Sequence, residues 1–116
     1  MYVDGFVIPV PTANKQAYVE GARKIWALFK EFGATRLVEG WGDDVPKGKL
    51  TDFQGSVKAE DAETVVFAWV EWPSKAVRDE AQGKMRSDPR MKDFGPMPFD
   101  GKRMIFGGFA PVLDLH

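Results

Sequence analysis

The chain has 116 residues, no cysteine, and a formal net charge of −1 from 16 Lys and Arg against 17 Asp and Glu. This length suits a single domain over residues 1–116, and the lack of cysteine excludes disulfides, thiolate metal sites and a cysteine nucleophile. The near-neutral charge disfavours a protein that binds phosphate backbones or anionic lipid. Phe, Trp and Tyr make up 13% of the residues, and this aromatic excess needs a structural explanation.

Two further features narrow the class of protein. The single histidine is His116 at the chain end, so we expect no histidine triad, no metal and no cofactor. The longest apolar run covers residues 65–70, against the roughly 18 residues needed to span a bilayer. The N-terminus has no basic stretch before an apolar one, so we expect a cytoplasmic protein without membrane contact.

The first half of the chain predicts a strand, a helix and a second strand. Tyr2–Val10 is β-branched and aromatic and ends in a Pro-Val-Pro sequence, which suits a strand. Thr12 or Asn14 can cap a helix that Gly33 terminates. Thr35–Trp41 alternates between apolar and polar residues and predicts the second strand. The apolar stripe of the helix consists of Tyr18, Ala22, Ile25, Phe29 and Phe32.

The second half repeats this order after a long connection. Residues 42–63 are rich in Gly and Pro, and we expect part of Phe53–Lys58 to pair as an extra hairpin arm because so long an irregular stretch is unusual. Thr64–Trp72 is the strongest strand, and a Pro-Ser pair ends it and caps a helix over Lys75–Arg86. An Asp-Gly turn leads into a last strand over Arg103–Ala110. The inner face of the second helix carries Val77, Ala81 and Met85.

The order β-α-β-β-α-β predicts the ferredoxin-like plan of the α+β class, a four-stranded antiparallel sheet with two helices on one face. The opposite face, here called the open face, is then uncovered. Strand alternation divides the side chains between the two faces. On the open face we expect Tyr2, Asp4 and Phe6 of the first strand and Phe67, Trp69 and Glu71 of the third. Beneath the helices we expect Val3, Gly5, Val7, Val66, Ala68 and Val70.

Two partners could cover an aromatic sheet face. Single-stranded RNA stacks on such a face in RNA-binding domains, and residues 67–72 match part of the RNP1 pattern. That pattern opens with a basic residue and Gly, where this chain has Val65 and Val66, and the acidic Asp4 and Glu71 would repel phosphates. We therefore favour a homodimer that pairs the two open faces, with no nucleic acid bound.

Several short sequences together resemble the bacterial YbaA-like family of uncharacterised proteins. They are Met-Tyr-Val-Asp-Gly-Phe at the start, Gly-Asp-Asp-Val-Pro at 42–46, Thr-Val-Val-Phe at 64–67, Asp-Pro-Arg-Met at 88–91 and Met-Pro-Phe-Asp-Gly-Lys-Arg-Met at 97–104. The resemblance implies the dimeric α+β barrel superfamily, which includes cofactor-free monooxygenases, haem-degrading enzymes, lactone isomerases and ligand binders. It also implies that a cysteine often present in the family is replaced here by Gly40.

Asp4 is the candidate catalytic residue. A carboxylate among apolar neighbours can act as a general base, and its alternative role is a structural ion pair with Arg103. Glu39 and Glu71 could form a second carboxylate pair on adjacent strands, or serve solubility at a sheet edge.

The candidate ligand contacts are Tyr2, Trp41, Trp69, Glu71 and Arg103. Indole N–H groups can orient an apolar ligand, and a basic residue beside a glycine turn can hold a small anion, although core packing and a rigid turn explain the same residues. We predict a protein that binds a small apolar or aromatic molecule, the alternative being a cofactor-free monooxygenase or isomerase of an aromatic or quinone-like compound.

Overall fold

The computed structural model describes all 116 residues and has the α+β, ferredoxin-like architecture that the sequence predicts. Short 3₁₀ helices precede the first α-helix and follow the last. No helix is both long enough and apolar enough to cross a membrane. The elements are β1 Tyr2–Pro11, α1 Lys15–Glu31, β2 Arg36–Trp41, α2 Phe53–Ser56, β3 Glu63–Trp72, α3 Lys75–Ser87 and β4 Ile105–Phe109.

The four strands form one antiparallel sheet in the order β2-β3-β1-β4. Helices α1 and α3 both pack on the same face. Tyr18 of α1 belongs to a buried cluster with Val10 and Val66, and Ala81 of α3 belongs to another with Trp72. The core therefore lies between this face and the two helices, and the opposite face has no helix of comparable length over it.

The ends of the two long helices follow from local sequence. Ser74 accepts a hydrogen bond from the Val77 N–H at 3.2 Å, which confirms it as the cap of α3. Gly33 follows α1 with φ +113°, and a Cβ there would lie 2.7 Å from the Val77 side chain, so only glycine fits this turn. Asn14 does not cap α1 with its side chain; its amide donates to the Pro98 carbonyl instead.

The predicted hairpin arm over Phe53–Lys58 is wrong, because residues 53–56 form the short helix α2. The Asp52 carboxylate accepts hydrogen bonds from the Gly55 N–H at 2.6 Å and the Gly48 N–H at 3.2 Å. The two backbone N–H groups therefore bond the Asp52 side chain, whereas in a hairpin they would have bonded carbonyl groups of a neighbouring strand. The helix contacts β1, and the Phe53 ring meets the Phe67 ring edge-on at 6.0 Å.

The predicted division of β3 is correct and that of β1 is reversed. Directly opposed residues of an antiparallel pair share a face, and the register places Asp4 opposite Val70 and Gly5 opposite Trp69. Val70 is buried beneath the helices, so Asp4 lies there too. The prediction placed the small aliphatic set of β1 beneath the helices, whereas the partners of Asp4 accommodate the set with Tyr2, Asp4 and Phe6 there. Accordingly Tyr2, Asp4 and Phe6 lie on the helix-covered face, and Val3, Gly5 and Val7 lie on the open face.

Candidate functional site

The open face carries a shallow apolar depression, here called the trough, with a volume of about 630 Å³. Nine of its twelve lining residues are hydrophobic, and Glu71 is the only one with a charged side chain. Phe67 is 49% exposed, Ile105 45% and Phe109 62%. The trough therefore presents large apolar side chains to solvent in the isolated chain.

The strand register arranges the open face in three rows that run across the sheet. The middle row contains the pair Gly5 and Gly107, which lie opposite each other and next to Trp69. A Cβ on Gly5 would lie 3.5 Å from the Phe109 ring, and one on Gly107 would lie 3.6 Å from it. The Phe109 ring thus covers the two glycines. The rows are Phe109, Val3, Glu71 and Arg36; Gly107, Gly5, Trp69 and Val38; and Ile105, Val7, Phe67 and Gly40.

One end of the trough is polar. The Trp69 Nε1–H donates to Glu71 Oε2 at 2.9 Å, and Arg36 Nη1 lies 3.6 Å from the same oxygen. No hydrogen bond of the chain uses the other carboxylate oxygen of Glu71, so Glu71 Oε1 can accept from a ligand that occupies the trough. The structure thus brings together two of the predicted ligand contacts, Trp69 and Glu71.

Asp4 lies on the other face of the sheet, in a buried ion pair. Arg78 donates to it from Nη2 to Oδ1 at 2.8 Å and from Nε to both oxygens at 3.1 and 3.2 Å, and the Trp72 indole N–H donates to Oδ2 at 2.9 Å. The hydrogen bonds with Asp4 raise the pKa of the Arg78 guanidinium further, so Arg78 stays charged. Asp4 is 7% exposed, so a reactant reaches it only if this pair opens.

The predicted ion pair between Asp4 and Arg103 is wrong. The register places Gly108 opposite Asp4, and Arg103 precedes the first residue of β4. Arg103 instead donates to both oxygens of Glu63 at 2.7 and 2.6 Å, to Asp100 at 2.9 Å and to the Lys58 carbonyl. The hydrogen bond from Arg103 lowers the pKa of Glu63. With its donors engaged in this way, Arg103 lies apart from the trough and holds two chain segments together.

The remaining predicted contacts also lie away from the trough. Tyr2 is on the helix-covered face, with the Arg78 guanidinium 5.1 Å from its ring centre. Trp41 packs against the buried cluster around Ile8, and the Lys15 ammonium lies 5.4 Å from its ring centre. No three metal-ligating side chains gather anywhere in the chain.

The sequence did not reveal two polar contacts of the candidate residues, that of Arg78 with Asp4 and that of Tyr18 with Glu39. Arg78 lies among other charged residues of α3, and nothing in the sequence distinguishes it from the exposed ones. Tyr18 belongs to the predicted apolar stripe of α1, and its side chain is buried as that prediction requires. Its hydroxyl also donates a hydrogen bond to Glu39 Oε1 at 2.6 Å. Glu39 and Glu71 lie on opposite faces, opposite Ala68 and Arg36 respectively, so they form no carboxylate pair.

Comparison with known proteins identifies relatives by sequence and by fold. The family model described as "Protein of unknown function (DUF1428)" matches residues 1–101. The uncharacterised protein YbaA of Escherichia coli K12 is 64% identical over 114 residues, which cover 97% of each chain.

Among solved structures, a dimeric ferredoxin-like protein from an uncultured marine organism aligns over 100% of this chain and 99% of its own, with TM-score 0.57 and 11% identity. A NIPSNAP domain protein from Burkholderia xenovorans aligns over 97% and 95%, with TM-score 0.60 and 16% identity. At these identities, the structural matches establish the ferredoxin-like fold alone.

Proposed function

The chain belongs to the DUF1428 family, and we propose that it acts as a homodimer whose two open faces meet and enclose a binding site for a small apolar or aromatic molecule. The observation that carries this proposal is the trough, an apolar surface whose only charged side chain is that of Glu71. A contiguous exposed surface of this kind on a small domain marks an interface or a ligand site.

A second copy is the partner that fits best. A face that pairs with itself about a two-fold axis needs apolar side chains in its centre and few charges, which is the composition of the trough. Full burial of a large apolar side chain contributes roughly 1.5–3 kcal/mol. The half-exposed Phe67, Ile105 and Phe109 of two copies together supply an energy of the same order as the roughly 4–15 kcal/mol that association costs.

The ligand part of the proposal rests on the shape and the polar end of the trough. The Phe109 ring lies over the glycine pair of the middle row and offers an aromatic surface against which a ligand can pack. Trp69 offers an indole face to an aromatic ring, and Glu71 offers a free acceptor oxygen to an O–H or N–H group. A small aromatic molecule with one hydrogen-bond donor suits this combination.

The two alternatives lose support from the geometry. RNA binding would need aromatic side chains of β1 and β3 on one face, but Tyr2 lies opposite Trp72 and away from Phe67 and Trp69. A cofactor-free oxygenase or isomerase with Asp4 as base would need a reachable carboxylate, and Asp4 is held by Arg78 and Trp72.

Sedimentation equilibrium tests the dimer. We expect the mass of two chains for the native protein, the mass of one for Phe67→Arg, and two again for the matched control Leu50→Arg. Leu50 is fully exposed in the loop after β2, so the same charge there meets no partner. A single-chain mass for the native protein at micromolar concentration would refute the pairing.

Calorimetric titration with 2-naphthol tests the ligand site. Saturable binding is expected for the native protein and for Leu50→Arg, and no binding for Phe67→Arg. If the native protein is dimeric and takes up no 2-naphthol, the enclosed aromatic site is wrong while the pairing of faces stands.

A further inference from the structure

The helix-covered side of the sheet has a second cavity, a groove of about 480 Å³ between α1 and β2. Helix α1 contributes Val19, Ala22 and Trp26 to it, spaced by three and four so that they share one face. Strand β2 contributes Leu37 and Glu39, which alternate onto the helix-covered face. Four of the eight lining residues are therefore apolar, and Glu39 adds a carboxylate to them.

Glu39 is held in position but has no cationic partner. Its Oε1 accepts the Tyr18 hydroxyl hydrogen at 2.6 Å, and no Lys or Arg nitrogen lies within 4.0 Å of either oxygen. Burial raises the pKa of the Tyr18 hydroxyl, and the neighbouring carboxylate raises it further, so Tyr18 stays protonated as the donor. Partial burial also raises the pKa of Glu39.

Two arginines also line the groove, and each already faces an acid outside it. Arg23 Nε lies 3.9 Å from Glu20, one turn earlier on α1. Arg36 Nη1 lies 3.6 Å from Glu71, which belongs to the open face. Glu39 is therefore the one charged side chain of the groove that has no ion pair within 4.0 Å.

We propose that this groove binds a small primary amine with an aromatic or aliphatic body, its ammonium group on Glu39 and its body against Trp26 and Leu37. The ammonium would donate to Glu39 Oε2, the oxygen that Tyr18 does not use. The indole of Trp26, which donates to no acceptor of the chain, offers an aromatic face to the cation and to the body of the amine. This site lies on the opposite side of the sheet from the trough, so it does not depend on the pairing of the open faces.

Three probes of similar shape and different charge test the proposal: phenethylamine, 2-phenylethanol and phenylacetate. Backbone amide chemical shifts are followed by NMR at pH 7.5 as each probe is added. We expect phenethylamine to saturate the groove residues of α1 and β2 with an affinity about tenfold higher than that of 2-phenylethanol, because a charged hydrogen-bond pair is stronger than a neutral one. Phenylacetate should bind most weakly.

Glu39→Gln keeps an oxygen that accepts from Tyr18 and removes the charge, so the preference for phenethylamine over 2-phenylethanol should disappear. Glu80→Gln on the exposed side of α3 is the matched control and should leave the preference intact, and dispersed spectra of both variants verify folding. Three results overturn the proposal: no saturable binding of phenethylamine, tighter binding of phenylacetate, or a preference for the amine that survives Glu39→Gln.

Discussion

Asp4 of β1 lies on the buried face of its strand because the side chain of Arg78, on helix α3, reaches it there. A carboxylate is costly in a core unless a cation and hydrogen-bond donors reach it. Arg78 supplies the cation and three hydrogen bonds, two from Nε and one from Nη2, and Trp72 supplies a fourth hydrogen bond. Alternation along β1 reveals two sets of residues, but only the position of Arg78 in space shows which set is inside. The sequence could therefore predict the sets and not their orientation.

Arg78→Met tests this pair. The variant keeps an apolar stem but leaves Asp4 buried without its cation, so we expect the free energy of unfolding to fall by about 3 kcal/mol. Arg86→Met on the same helix removes an exposed charge that makes no ion pair and should change stability by less than about 0.5 kcal/mol. Urea unfolding measures both, and equal losses in the two variants would show that the Asp4–Arg78 pair does not stabilise the fold.

The titration of Glu39 makes the free energy of unfolding depend on pH. Burial raises the pKa of its carboxyl in the folded chain above that in the unfolded chain. Between the two pKa values the folded state binds more protons, so this term weakens the fold as the pH rises. The groups that face Glu39 are Tyr18, which stays protonated, and the groove residues Arg23 and Arg36.

Glu39→Gln removes this titration and keeps the acceptor for Tyr18. Its free energy of unfolding, measured relative to the native protein, should therefore increase from about pH 4 to pH 7.5. Urea unfolding at both pH values, with Glu80→Gln as control, checks the trend. A difference that stays constant or shrinks as the pH rises would contradict it.

At the scale of elements, most helices and strands could be predicted because their signals are local and periodic. The exception, α2, has four residues, which is too short for a helical period to show. Its determinant is the Asp52 carboxylate, which bonds the N–H groups of Gly55 and Gly48. Aspartate in a Gly-rich loop is compatible with many turns, so the sequence could not distinguish this cap from a hairpin.

Asp52→Ala is expected to loosen α2 and the loop before it. Loss of a capping carboxylate costs about 1 kcal/mol, and Phe53 should lose its fixed contact with Phe67. Amide hydrogen exchange should quicken at Gly55 and Ser56, whereas Asp44→Ala, which removes a loop acid with no hydrogen bond, should leave their exchange unchanged. Unaltered exchange at Gly55 in the Asp52 variant would mean that the cap does not hold the helix.

At the scale of the whole molecule, the aromatic residues fall into two groups, one in the core and one on the open face. Trp72 and Phe29 meet edge-on in the core, and Tyr18 is buried there, whereas Phe67 and Phe109 face solvent across the trough. The uncovered face could be predicted from the element order and from β3 alone, since a βαββαβ sheet has helices on one side. The β1 and β4 side chains that lie on that face could not be predicted. The orientation of β1 decides which of its residues face outward, and β4 pairs with β1.

The proposed function depends on the pairing of two copies through their open faces. Isotope-filtered NOE spectroscopy on a mixture of labelled and unlabelled chains tests it most directly, because it detects only contacts between copies. We predict intermolecular contacts from the methyl groups of Val3, Val7 and Ile105 to aromatic protons of Phe67 and Phe109. An absence of intermolecular contacts, or contacts confined to residues of α1 and α3, would contradict it.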